Sequence, residues 1–153
     1  MKRFIIVLII FILLLENGMN RKQARENAFI LLFEGLSKLD ETPEEIYEKA
    51  TAVRGLEVND YVKQVFFGVF ENFRVIDEAI AKSLIGWKKE RLSTVSHAVL
   101  CLAVYEMLFI SDIPHAVSIN EGIEISKKYD DEKAYAFVNG SLNAISKELK
   151  ANE

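Results

Sequence analysis

From Met19 onward, apolar residues recur at every third or fourth position almost without a break, and the whole chain holds only two prolines and seven glycines. No alternation of apolar and polar residues bounded by turn residues appears. The pattern therefore dictates helices packed on helices and leaves no material for a sheet. With 153 residues, one domain is expected, large enough to bury a sizeable core.

The start and stop signals divide this region. Arg21 to Leu36 is the first predicted helix, with Ala24, Ala28, Leu31, Leu32 and Leu36 as its core stripe. Thr42-Pro43-Glu44-Glu45 supplies an N-cap, a first-turn proline and a capping-box glutamate for the second, which runs to about Val53 before Gly55. Asn59-Asp60 opens a helical region reaching Ile85, long enough that a break is expected near Asn72 to Arg74. Ser93 caps Thr94 to Phe109, which is apolar nearly all round and so must be central. Pro114 starts the next helix, to Tyr129, and Asp130-Asp131 start the last, to about Leu149. Its stripe is Ala134, Val138, Leu142, Ile145 and Leu149. The period continues through Asn139-Gly140, so Gly140 is expected to let something approach the backbone closely.

Residues 1–18 are different. Lys2 and Arg3 precede twelve unbroken apolar residues, Phe4 to Leu15, with no small-residue cleavage site after them. Twelve helical residues span about 18 Å, against roughly 30 Å for a bilayer core. The expected division is thus a leader at 1–18, a mis-assigned start or an anchor, and a folded domain at 19–153. Counted from Met19, Lys plus Arg falls from 19 to 17 and Asp plus Glu from 23 to 22, a net of −5 in place of −4.

This acidic balance excludes a generally basic nucleic-acid binder and requires any such surface to be local. No Gly-rich phosphate loop, G-x-S-x-G, H-E-x-x-H or C-x-x-C occurs, so no enzyme, cofactor or metal site is expected. His97 and His115 read as packing or capping residues. Cys101, alone in an apolar run, reads as a core residue in a reducing, cytoplasmic setting.

A local basic surface is present. Arg21, Lys22 and Arg25 open the first helix. At helical spacing Lys22, Arg25, Phe29 and Phe33 fall within roughly 80° of one another, beside the core stripe. Cations interleaved with rings suit single-stranded RNA, the cations meeting phosphates and the rings stacking bases. The competing interpretation is that the rings widen the buried face while the cations are solvated. On the last helix Lys133, Phe137, Gly140 and Ala144 share a face away from the core stripe, with Lys133 and Phe137 one turn apart. Lys82, Lys88, Lys89 and Arg91, around Trp87, read as a solvated face.

Five segments, in order and spacing, resemble the NusB family. They are Arg21-x-x-Ala24-Arg25-x-x-Ala28, Trp87-x-x-x-Arg91-Leu92, and the run from Ala98 through Tyr105-Glu106. Ile113-Pro114-x-x-Val117-x-Ile119-Asn120-Glu121 and Phe137-Val138-Asn139-Gly140-x-Leu142 complete the set. The resemblance implies an all-α domain of six to seven helices in two packed subbundles. It implies binding of boxA RNA as a heterodimer with NusE, a small-subunit ribosomal protein, within the RNA polymerase antitermination complex that supports ribosomal RNA synthesis. A homodimer of the free protein is compatible with it. Carried over by position, the RNA-binding residues it implies are Arg21, Lys22, Arg25, Phe33, Lys133 and Phe137. The family usually has an acidic-basic pair at Ser96-His97 and an arginine at Cys101. These departures fall near the expected protein–protein surface, so the partner contacts are expected to differ there. Two other readings compete. One is the NusB-like part of a ribosomal RNA cytosine methyltransferase, which needs a further catalytic domain that this sequence, ending at Glu153, is not expected to carry. The other is an interaction module without RNA activity, tethered to a membrane by residues 4–15.

Overall fold

The computed structural model describes residues 1–16, 18–84 and 92–153. The segment Trp87 to Arg91, with its run of cations, lies outside the described residues. The helices are α1 (Lys2–Glu16), α2 (Arg21–Ser37), α3 (Pro43–Glu48), α4 (Asp60–Glu71), α5 (Phe73–Ser83), α6 (Thr94–Phe109), α7 (His115–Tyr129) and α8 (Glu132–Ala151). The expected all-α class holds among the described residues, which contain no strand.

The helix starts expected at Thr42, Asn59, Ser93 and Asp131 are capped, and Asn20, which was not singled out, caps α2. The Thr42 hydroxyl accepts from the Glu45 amide at 3.2 Å while the Glu45 carboxylate accepts from the Thr42 amide at 2.8 Å. Asn20, Asn59, Ser93 and Asp131 each accept an amide hydrogen bond from the residue three positions on. Between α4 and α5, Asn72 gives its side-chain amide to the Gly68 carbonyl at 2.8 Å, which ends α4 at the expected break. Pro114 is the residue before α7 instead of its first residue. The second predicted helix divides: after α3 the chain widens into a π-helical turn at Lys49–Val53, and Gly55, at φ +68°, then turns it away.

Helix α6 occupies the centre. Ser96 and every residue from Ala98 to Met107 are buried. It packs on α2 and α4 on one side and on α5, α7 and α8 on the other, so two helical groups share one core. Packing is close where α4 crosses it: a Cβ at Gly68 would fall 2.4 Å from the Tyr105 ring. Cys101 lies in this core, as expected. Ser96 is also buried and His97 half-buried, within 3.7 Å of Asp77 on α5. The departures at Ser96 and Cys101 therefore sit inside the fold. Outside its own stretch of helix, no described residue comes within 4 Å of a Cβ built at Gly140, so the close approach expected there is not made by the described residues.

Among the described residues α1 shares no substantial packing with the other helices, and its side chains from Phe4 to Phe11 are exposed. Among the described residues, no helix is long and apolar enough to cross a membrane. Since every core stripe lies after Met19, a chain lacking residues 1–18 should keep its helicity and unfolding midpoint. Circular dichroism with thermal unfolding checks this, and loss of a cooperative transition would contradict it.

Candidate functional site

The first turns of α2 separate the predicted cations into three environments. Arg21 is exposed and lies over the Tyr61 ring of α4, 4.2 Å from its centroid. Lys22 is exposed and close enough to act electrostatically on Glu26. Arg25 turns inward.

Arg25 was expected on the RNA-facing surface, and the structure corrects this. Only 4% of it is exposed. Its Nε donates to Glu106 Oε1 at 2.6 Å and its Nη2 to Oε2 at 3.3 Å. Glu106, on α6, is fully buried and also accepts from the Tyr61 hydroxyl at 2.5 Å and the Ser118 hydroxyl at 2.8 Å. Glu121 adds a second carboxylate 3.8 Å from Arg25 Nη1. Burial works against the charge of Arg25, but its hydrogen bond to Glu106 and the nearby negative charges outweigh it, so its pKa is raised. Burial, then the Glu106 charge and hydrogen bond, push the Tyr61 phenol well above its usual range. The physical reason for the inward turn is the carboxylate itself: an ion inside an apolar helix must be paired, and Arg25 is long enough to reach it. Arg25 thus ties α2 to α6 and α7.

Phe29 is likewise buried, at 2% exposure, so the alternative of a widened core holds for that ring. Phe33, one turn on, is 38% exposed. The end of α7 completes this face in a way that the pattern of α2 alone could not indicate. Tyr129, 41% exposed, packs on Phe29 with ring centroids 5.0 Å apart, and Phe29 lies 6.4 Å from Phe33. Lys128 and the Tyr129 hydroxyl both donate to Glu26 Oε1 at 2.5 Å, and these bonds hold the Glu26 carboxyl below the usual range. Lys22, Phe33, Lys128 and Tyr129 are thereby gathered where α2 meets the end of α7.

Tyr129 leads directly into the start of α8. There Lys133 is exposed and Phe137 half-buried, and both line a shallow groove of about 280 Å³ with Ser93 and Asp130. Asp130 accepts from the Ser93 hydroxyl at 2.8 Å and so fixes the start of α6 against the α7–α8 junction. Of the six predicted residues, Arg21, Lys22, Phe33 and Lys133 are exposed, Phe137 is half-buried and Arg25 is inside. Tyr129 and Lys128 escaped prediction because contact between α2 and α7 is a tertiary fact. The location of Arg25 did have a signal, namely the single carboxylate of α6.

Comparison with known proteins agrees with this fold. The NusB family model matches residues 22–147. The transcription antitermination protein NusB of Bacillus licheniformis is 42% identical over 132 residues, covering 86% of this chain and all of that protein. The protein of the same description from Clostridium botulinum is 44% identical over 135 residues, covering 84% and 99%. The structure of T. maritima NusB superposes with a TM-score of 0.75 at 38% identity, covering 85% of this chain and 92% of that one. A structure of antitermination factors NusB and NusE in complex with dsRNA matches with a TM-score of 0.74 at 30% identity, covering 84% and 96%. With its helical order, its central buried α6 and relatives that it matches along nearly their full length, this chain belongs to the NusB family.

Proposed function

We propose that this protein is an RNA-binding transcription antitermination factor that takes boxA-type RNA together with NusE and supports ribosomal RNA transcription within the RNA polymerase antitermination complex. One observation carries the reading: exposed cations and half-open aromatic rings adjoin from α2 across the end of α7 to the start of α8. Such a strip offers phosphate contacts and stacking platforms to an unpaired strand. The antitermination relatives, and the neighbour solved with NusE and RNA, support the same reading. The RNA-binding residues are Arg21, Lys22, Phe33, Lys133 and Phe137, with Arg25 holding α2 in place beneath them.

The test is the salt dependence of binding. Each phosphate contact with a single strand contributes about 0.7 to the slope of log affinity against log salt. Arg21→Ala with Lys22→Ala should weaken binding and flatten the slope by about 1.4 if both touch phosphate. Alanine favours helix, so folding should be little changed. Lys147→Ala with Lys150→Ala, two exposed cations at the far end of α8, is the control and should change the slope much less. Equal affinities and slopes for the two double variants would reduce the α2 cations to a solvated face.

A second reading, an interaction module tethered through α1, is favoured by the exposed apolar side chains of that helix. It requires the native protein to sediment with membranes.

A further inference from the structure

We infer that Tyr61 is a positioning residue that fixes the guanidinium of Arg21 for phosphate; this inference rests on the RNA-binding reading above. A surface arginine ordinarily samples many rotamers, and holding it for a ligand costs binding energy. Here the chain supplies a platform in advance. The Arg21 guanidinium lies 4.2 Å from the ring centroid of Tyr61, a residue only 6% exposed. The ring cannot swing away, because its hydroxyl donates to Glu106 Oε1 at 2.5 Å.

Glu106 is fixed in turn from two further helices. Arg25 of α2 grips both its oxygens, and Ser118 of α7 donates to Oε2. Four helices therefore converge on one buried carboxylate, and its outermost product is the orientation of a ring face. A guanidinium resting over a ring face can keep its N–H donors for a ligand. Arg21 itself forms no hydrogen bond or ion pair among the described residues, so those donors remain open. The Arg25 guanidinium lies farther from the same centroid, at 6.0 Å, and is engaged by Glu106, so it adds positive potential while its own donors are taken.

This arrangement explains why α2 begins with two arginines one turn apart and uses them differently. Arg25 builds the support, and Arg21 rests on what is supported. It also makes a prediction that a merely structural tyrosine would not satisfy: the contribution of Tyr61 to RNA binding must pass through Arg21.

A double-variant cycle on the full chain, titrated with a boxA-type RNA oligonucleotide, tests this. Loss of a cation–ring contact near the surface corresponds to about a 2–5-fold weakening, the effect expected of Tyr61→Leu when Arg21 is present. In the Arg21→Ala background the same substitution should change affinity hardly at all. Tyr61→Phe, which keeps the ring and frees it from Glu106, should show a smaller dependence on Arg21 in the same direction, and it serves if Tyr61→Leu fails to fold. Losses that multiply, with Tyr61 substitutions weakening binding equally in both backgrounds, would overturn the inference while leaving RNA binding intact. Absence of RNA binding by the unaltered protein would instead overturn the functional reading, and the inference with it.

Discussion

Arg25→Ala should destabilise the protein by about 3–5 kcal/mol, the cost of leaving one member of a buried ion pair unpartnered. Glu106 would keep the Tyr61 and Ser118 hydroxyls but lose the cation that balances it in a fully buried site. At roughly 2–4 °C per kcal/mol for a chain of this size, the unfolding midpoint should fall by about 10 °C. Thermal unfolding measures it directly. Arg21→Ala, one turn earlier, is the comparison: its side chain is exposed, and the change should lie within about 0.5 kcal/mol of neutral, apart from the lost ring contact. If Arg25→Ala melts within a degree or two of the parent, the buried network is not what holds α2 on α6.

The second large effect concerns the rings. Phe33→Ala and Phe137→Ala should each weaken RNA binding by about 1–3 kcal/mol, the loss expected of one base stack. Phe33 is 38% exposed and Phe137 half-buried, so neither should approach the roughly 3–5 kcal/mol of stability that a fully buried phenylalanine contributes. Affinity and unfolding, measured on the same samples, separate the two roles. Undiminished affinity in the folded fraction, with a large loss of stability, would make these rings part of the core.

Much of the fold was legible in local chemistry. Thr42, Asn59, Ser93 and Asp131 stop the preceding chain and cap the following helix through their own side chains, so helix starts follow from residue type and position. The buried status of α6 follows from its apolar circumference alone. The wide turn at Lys49–Val53 was not legible, since nothing in Lys-Ala-Thr-Ala-Val distinguishes it from ordinary helix. The site was legible in part for the same reason. Helical spacing places Lys22, Arg25, Phe29 and Phe33 on one flank, but it cannot decide which long side chains fold inward at the margin of a core stripe. That decision belongs to what waits on the neighbouring helix: Glu106 draws Arg25 in, and the Tyr129 ring covers Phe29. Reading the lone acid of α6 as a demand for a partner would have identified a buried cation, though not which one.

A net charge of −4 opposes attraction to phosphate, and the cationic strip is narrow. RNA binding by this protein alone should therefore be weak, and a partner that extends the surface should strengthen it. Titration of a boxA-type RNA with the full chain, in the absence and presence of saturating NusE, tests the central claim most directly. The account predicts measurable binding by the protein alone and a clearly lower dissociation constant with NusE. The same dissociation constant in both titrations, or no RNA binding in either, would contradict it.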